Sequence, residues 1–405
     1  MGQAVPEIPG EKADPPLARQ FRGEVADLLG RKSDRFPGAQ PVSFALRHLR
    51  ELQMEDYYVC EKSDGIRCLM YFAEGDGGSE IHYLIDRKND YYYVRGLHFP
   101  VPEDPSFQKF HLGTIIDGEL VNDTLANGQI QLKYLVFDCL TLDGQSLMHR
   151  TLDKRLAYFR AHVYDPYKAL YAKYPEEIQY LPFIVEFKQM ELSYGIEMMF
   201  KDILPNLPHG NDGLIFTCRN SPYTFGTDEH ILKWKPEEEN SVDFRLNLDF
   251  PTRDPDPDER AAGETEPIPD WDAMPVLRLS VGGDNREDRG YGTMYATSQE
   301  WEDLKRLQIP LNDQIVECHQ DKEGRWRFMR FRDDKKDPNH FTTVASVIES
   351  IQDRVSESDL IRAAKGIKDG FKKRRAQEQD QQRREEEGRR DRRREEERRK
   401  NPNGA

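Results

Sequence analysis

The sequence predicts an α+β protein: a domain built on antiparallel sheets, followed by a small five-stranded barrel of the OB type. Three observations carry that prediction. Between residues 57 and 235, short β-branched and aromatic runs recur, many of them separated by glycine or Asp-Gly turns, which is how antiparallel strands with tight connections read. Only two helix-like stretches, 152–174 and 193–203, interrupt them, so helices do not alternate regularly with strands as a parallel sheet requires. Beyond Pro236, five further short strands with one helix between them suit a small barrel.

Taken in order, residues 1–20 are rich in proline, glycine and charge, a composition expected to leave the N-terminus disordered. A short helix is expected over 21–29, opening a first domain that runs to 237, and 36–44 reads as an irregular, apolar-anchored loop. Strands are expected at 57–60, 68–72, 81–86, 91–94, 114–117, 131–137, 183–187, 214–218 and 231–234. The barrel domain, 238–342, opens with a strand in which Val242, Phe244, Leu246, Leu248 and Phe250 alternate onto one face, as a half-buried strand requires. An insertion rich in Asp, Glu and Pro, 251–275, is expected to lie exposed, because it has little apolar surface to bury. Strands at 276–281, 293–296, 315–319 and 326–331 complete the barrel, with a helix at 301–307. A packed helical segment, 343–370, carries Val344, Val347, Ile348, Ile351, Val355, Leu360 and Ile361, and precedes an Arg/Glu tail, 371–405. Opposite charges three or four apart in that tail suit a solvated helix or a disordered extension.

Composition excludes several functions. A net charge of −15 over 405 residues argues against a protein that coats nucleic acid through bulk charge. The stretch 371–400 is the exception, with 14 Lys or Arg against 9 Asp or Glu, so a nucleic-acid role falls to a local groove or to this tail. Five cysteines, odd in number and scattered through apolar runs, read as reduced, buried thiols. No Cys-x-x-Cys or His-Glu-x-x-His pattern suggests a structural metal. No leader-like segment and no long uninterrupted apolar stretch occurs, so a soluble intracellular protein without a membrane partner is expected. Neither a Gly-x-x-x-x-Gly-Lys-Ser/Thr loop nor a Gly-x-Gly-x-x-Gly turn offers a phosphate cradle.

Chemistry concentrates instead at strand ends. Lys62-Ser63-Asp64-Gly65-Ile66-Arg67 follows the apolar run Tyr57-Tyr58-Val59-Cys60, which delivers Lys62 at the end of a strand. A lysine amine attacks only when neutral, and its ordinary pKa lies near ~10.4, so a nucleophilic role asks for nearby cations such as Arg67 and partial desolvation. Further strand ends carry Asp117-Gly118-Glu119, Phe137-Asp138, Glu186-Phe187-Lys188, Asp212-Gly213-Leu214-Ile215 and Lys233-Trp234-Lys235-Pro236. Each alone fits a hairpin turn, a core aromatic or a solvated strand face.

In their order and spacing, five of these elements, those at Lys62, Asp117, Phe137, Asp212 and Lys233, resemble the covalent nucleotidyltransferase superfamily, which comprises mRNA capping guanylyltransferases and ATP-dependent ligases. Downstream, Arg330-Phe331-Arg332-Asp333-Asp334-Lys335 resembles the Arg-x-Arg-x-Asp-Lys element of the capping branch, 36–44 resembles the N-terminal segment of that branch, and Pro338-Asn339-His340 follows as in its fungal-type members. Ser63 stands where many relatives carry threonine. The resemblance implies that Lys62 attacks the α-phosphate of GTP, expels pyrophosphate and carries GMP to the 5′-diphosphate end of RNA. It implies further that Lys233 and Lys235 grip the α-phosphate, that Arg67 and Glu119 meet the ribose, that Arg87 meets ribose or phosphate, that Ser63 makes a small polar contact, that Phe137 stacks on the purine and that Lys188 reaches guanine O6. Asp212 and Glu119 would hold Mg²⁺ or Mn²⁺. Arg330, Arg332, Asp334 and Lys335 would meet the β and γ phosphates when a mobile barrel closes, helped by Asp243.

The same resemblance implies a nuclear protein whose partners are a separate RNA 5′-triphosphatase subunit, the phosphorylated C-terminal domain of RNA polymerase II and 5′-diphosphate RNA. Two rival readings share the fold: an ATP-dependent polynucleotide ligase using Lys62, and a non-catalytic scaffold.

Overall fold

The computed structural model describes residues 6–236, 240–261, 263, 265–284, 287–353 and 355–400. The expected domain boundary at 237 and the last five residues of the expected tail lie outside them. The chain forms two compact units, one made of 1–234 together with 357–405, the other of 235–356.

The first unit contains an eight-stranded and a five-stranded sheet. Strand Ile66–Glu74 shows why the larger sheet is stable. Cys68, Met70 and Phe72 point into one apolar core, shared with Phe159 and Tyr167 from the helical stretch after residue 152. Leu69, Tyr71 and Ala73 point into another, shared with Phe21 and Val25. A period of two thus sends the two halves of one uninterrupted apolar run to opposite faces, and both faces are covered. The smaller sheet places Tyr57–Ser63 between Glu191–Leu192 and Asn211–Cys218, and continues through Gly226–Trp234 to Ala39–Ser43. Pairing is mainly antiparallel, as expected, but two edges are parallel: Ile184–Phe187 against Ile130–Leu142, and Ala39–Ser43 against Gly226–Trp234.

The N-terminus departs from the expected disorder. Glu11 and Lys12 pair with Tyr93 and Tyr92, and a helix spans Pro15–Leu28. The residues that looked disordering start the helix: Asp14 Oδ1 accepts from Leu17 N at 2.9 Å and proline fills the first turn. Ala18, Phe21 and Val25 then bury one stripe of it. The loop expected over 36–44 is also a strand in part, tolerating Pro41 because it lies at a sheet edge.

In the second unit, Ser241–Asp249, Val276–Gly282, Asp288–Met294, Gln314–Gln320 and Trp326–Phe331 close into a barrel. Val242, Phe244 and Leu246 are buried in it, following the alternation, while Leu248 and Phe250 pack at its margin. A helix, Ser298–Arg306, begins at a Thr297/Glu300 capping box. The acidic insertion carries more structure than expected. Thr252–Arg253 pairs with Ile268–Pro269, Arg253 grips Glu259 through two bonds of 2.6 and 2.7 Å, and the Trp271 ring lies 4.7 Å from that of Phe250. Paired charge and one aromatic contact do here what apolar content does not.

At the C-terminus, Phe341–Gln352 is a helix of the barrel unit. Residues 357–400 form one continuous helix, where the sequence suggested a packed segment with an appended tail. Its opening turns bury Leu360 and Ile367 and belong to the first unit. Arg374 donates to Asp56 at 2.8 Å, and the Phe371 ring meets that of Tyr194 at 5.3 Å. At Gly370 the helix runs so close that an added Cβ would lie 2.2 Å from the Gln53 carbonyl oxygen, whereas at Gly366 it would meet only the Gln53 side chain, at 3.2 Å. Gly370→Ala should therefore cost about 1–3 kcal/mol by overpacking against rigid backbone. Gly366→Ala, free to displace a flexible side chain and gaining helix propensity, should be neutral or stabilising. Thermal unfolding of the two variants measures the contrast.

Candidate active site

Lys62 lies on the Tyr57–Ser63 strand, next to the central strand of the smaller sheet. Its Nζ bonds both oxygens of Asp212, at 2.6 and 2.8 Å. Asp212 reaches it from the neighbouring strand, where the ladder slips between Asn211 and Leu214. That bulge breaks strict alternation and re-aims the side chain, so Asp212-Gly213, which reads locally as a turn, is a bulge inside a strand. Immediately after Lys62, a Cβ at Gly65 would fall 2.2 Å from the Leu120 carbonyl oxygen. Only glycine lets the turn pass this close to the larger sheet.

One cleft gathers Lys62, Arg67, Arg87, Glu119, Phe137 and Lys188. Arg87 is exposed and Phe137 half-buried, so its ring is open to the cleft on one side. Arg67 is braced rather than free. Its guanidinium grips Asp117 at 3.0 and 2.6 Å, donates to the Ala39 carbonyl, and lies 5.5 Å from the Phe137 ring centre. The role of a free cation acting on Lys62 therefore does not suit it, since Asp117 already neutralises it. Tyr223 completes the brace, donating to Asp117 at 2.8 Å and accepting from Ala39 N at 3.0 Å.

Lys188 is buried. It donates to Ser63 Oγ at 2.6 Å, pairs with Glu61 at 3.2 Å and approaches Glu119 at 3.9 Å. Burial works against its charge, but Glu61, Cys60 and Glu119 hold its pKa above the ordinary lysine value. Burial pushes the Glu119 carboxyl up, opposed by Lys188, Lys62, Arg87 and Arg67. Burial also raises Glu61, yet Lys188 and His209 bring it below the usual range. Lys233 pairs with Ile215 across the ladder and follows Ile231 by two residues; both isoleucines line the cleft, so Lys233 shares their face.

The remaining expected residues belong to the barrel unit, Lys235 among them. Asp243 is buried and gathers its neighbours: Arg332 donates to it at 3.0 and 3.2 Å, Lys335 bonds it directly, and its backbone N–H reaches Asn339. Arg332 also grips Asp334 at 2.9 and 2.8 Å, and Arg330 pairs with Glu317 at 2.6 Å. Asp243 thus orders Arg332 and Lys335, while Glu317 holds Arg330.

Sequence reasoning missed Asp117, Tyr223, Glu61, Asp123 and His209. Asp117 was legible only as the turn residue before Glu119. Tyr223 gave no signal, and His209 had only its nearness to Asp212. His209 sits between Asp123, at 2.7 Å, and Glu61, whose carboxylate lies 3.5 Å from Nε2, an ion-pair contact rather than a hydrogen bond.

A family model for the catalytic domain of mRNA capping enzymes matches residues 5–237, and one for their C-terminal domain matches 239–361. With that match, the two-sheet cleft and its paired lysine define a nucleotidyltransferase. The chain is 52% identical over 377 residues to the Neurospora crassa mRNA-capping enzyme subunit alpha, covering 90% of this chain and 93% of that protein. Proteins of the same name from Schizosaccharomyces pombe and Saccharomyces cerevisiae are 44% identical, over 91% of this chain and 89% of theirs, and 38% identical, over 92% and 88%. The chain belongs to the mRNA capping enzyme family.

Two outcomes follow from this geometry. Asp117→Ala leaves the Arg67 charge buried and unpaired and should destabilise the first unit by about 3–5 kcal/mol, measured by denaturant unfolding. Burial lowers the His209 pKa, but Asp123 and Glu61 more than offset it, raising it from 6.5 to about 9. A raised pKa contributes stability that is complete below 6.5 and lost as pH rises through about 9. The loss of melting temperature caused by His209→Gln should therefore be largest below pH 6.5 and shrink as pH approaches 9, while a penalty that grows with pH would contradict this.

Proposed function

We propose that the protein is an mRNA guanylyltransferase. The Lys62 amine sheds a proton and attacks the α-phosphorus of GTP, forming a P–N bond as the P–O bond to the β-phosphate breaks and pyrophosphate departs. In the second step the terminal phosphate oxygen of a 5′-diphosphate RNA attacks the same phosphorus, releasing Lys62 and leaving a GpppN end. The observation that carries this reading is the Lys62–Asp212 pair beside a cleft that holds Arg67, Arg87, Glu119, Phe137 and Lys188.

Each residue has chemical work suited to it. Displacement at phosphorus places negative charge on non-bridging and leaving oxygens, so fixed cations stabilise it. Lys233 and Lys235 serve the α-phosphate, and Arg330, Arg332, Asp334 and Lys335 the β and γ phosphates. Phe137 offers the purine a ring face, Lys188 donates to guanine O6, Ser63 holds Lys188, and Arg67, Arg87 and Glu119 surround the ribose. No group of three or more metal-ligating side chains occurs among the described residues. Magnesium bound through one or two carboxylates and substrate phosphates needs none. The carboxylate oxygens of Asp212, and Glu119 in the same cleft as Lys62, fit Mg²⁺ or Mn²⁺ in that mode, where the cation neutralises phosphate charge.

The name "subunit alpha" carried by the relatives supports a heteromeric complex, and we assign its other component as an RNA 5′-triphosphatase. The phosphorylated C-terminal domain of RNA polymerase II as a partner, and the nucleus as the location, follow from capping of nascent transcripts. No helix among the described residues is long and apolar enough to cross a membrane.

Incubation with α-labelled GTP should yield an acid-labile, base-resistant labelled protein that loses its label to 5′-diphosphate RNA, and Lys62→Ala should abolish labelling. An adduct formed with ATP alone, or one that survives Lys62→Ala, would overturn the proposal.

A further inference from the structure

Three residues with no place in the cleft, Pro208, His209 and Gly210, lie immediately before the strand that carries Asp212. Their backbone is held from both sides. Thr124 N donates to the Pro208 carbonyl at 2.8 Å, fixing the segment to the larger sheet, and Asp64 N donates to the Gly210 carbonyl at 2.9 Å, fixing it to the turn that follows Lys62. Between these bonds, His209 is buried. Its Nδ1 lies 2.7 Å from Asp123 and its Nε2 3.5 Å from Glu61, the residue preceding Lys62. Asp123 is anchored in turn by Lys133, at 2.9 Å, and Glu61 by Lys188, at 3.2 Å.

This arrangement answers a question the ladder leaves open. Because the pairing slips between Asn211 and Leu214, regular strand geometry does not fix where Asp212 stands relative to Lys62. The segment entering the strand must fix it, and that segment is pinned at His209 to both neighbours: one carboxylate on the Lys62 strand and one on the larger sheet.

We propose that His209 is a positioning residue for the lysyl transfer step, a charged brace that sets Asp212 against Lys62 without touching the nucleotide. This rests on the reading of Lys62 as the nucleophile. Misplacement of reacting groups by about 1 Å costs on the order of 100-fold in rate, whereas nucleotide contacts elsewhere in the cleft should survive loss of the imidazole.

The test uses the full chain as wild type, His209→Ala, Asp123→Asn and the double variant. Single-turnover adduct formation is followed with whichever of GTP or ATP labels the wild type, normalised to the fraction that forms adduct at completion, alongside equilibrium nucleotide binding. His209→Ala should slow adduct formation about 10- to 100-fold with the nucleotide Kd changed less than about threefold. Asp123→Asn should slow it by less, and the double variant should be no slower than His209→Ala alone, since both substitutions open the same brace. A purely structural role would reduce the adduct-competent fraction or the melting temperature but leave the normalised rate at the wild-type value, and that result overturns the inference, as does a double variant whose losses multiply. Labelling of the wild type by ATP alone defeats the guanylyltransferase assignment and leaves the positioning test intact. A wild type that labels with neither nucleotide defeats both.

Discussion

The cleft depends on a buried brace between two sheets. Arg67 and Asp117 belong to the eight-stranded sheet, whereas Ala39 belongs to the five-stranded one; the Arg67 guanidinium bonds both Asp117 and the Ala39 carbonyl, and Tyr223 closes the loop from Asp117 back to Ala39 N. Apolar side chains at these positions would satisfy burial equally well, and replacing a buried pair with hydrophobes is often neutral. What the polar brace adds is direction. Hydrogen bonds fix the angle at which Ala39–Ser43 meets Ile66–Glu74, where an oil-like contact would let the sheets slide, and Phe137 is set over the Arg67 guanidinium as a consequence. The floor and one aromatic wall of the cleft are therefore defined by one network.

Burial then separates the charges that can change partners from those that cannot. Lys62 and Asp212 keep side-chain exposures of 25% and 20%, while Arg67 and Asp117 keep 9% and 0%. Coulomb attraction weakens as the surrounding dielectric rises, so the first pair is the cheaper to open, and water or a phosphate oxygen can take the place of the carboxylate. In the second, Asp117 has no exposure at all, so Arg67 lines the cleft as a fixed cation that keeps its partner. The same contrast holds in the barrel unit, where Asp243 is buried but the cations it bonds are partly open: Arg332 is 18% exposed and Lys335 35%. Lys62, Arg67, Lys188, Arg330, Arg332 and Lys335 are each held beside a carboxylate in this acidic protein, and the Lys62 pair is nearer solvent than the Arg67 and Lys188 pairs.

Much of this was legible in the sequence because strand-end motifs keep their order even when each is ambiguous alone. The period-two runs around Cys68–Phe72 and Val242–Leu246 located core strands, and the polar residues at their ends located the cleft. Failures have a common cause. Asp14-Pro15-Pro16 has the composition of a disordered tail and acts as a helix start; Asp212-Gly213 has the composition of a hairpin turn and acts as a bulge. Asp14 caps the helix locally, but the segment ahead of it is ordered by partners distant in sequence, Tyr91 to Tyr93, as the bulge is by the Tyr57–Ser63 strand. Asp117, Tyr223 and His209 escaped notice for the same reason, since a brace is a relation among elements and leaves no local pattern.

The C-terminal helix extends this principle to the whole chain. Its charge blocks made it look appended, yet Leu360, Ile367, Gly370 and Arg374 belong to the packing of the catalytic unit, with Arg374 reaching Asp56 just before the strand that ends near Lys62. The chain leaves this unit after Trp234 and returns to it at Glu357. Contacts of such long sequence separation form late, because loop closure must be completed before they contribute. During synthesis the sheets around Lys62 can assemble early, but Asp56 holds only Arg219 until residue 374 has emerged. The docking of an apparently solvated tail therefore completes the charge pairing around Asp56, at the entrance to the strand that carries the lysine.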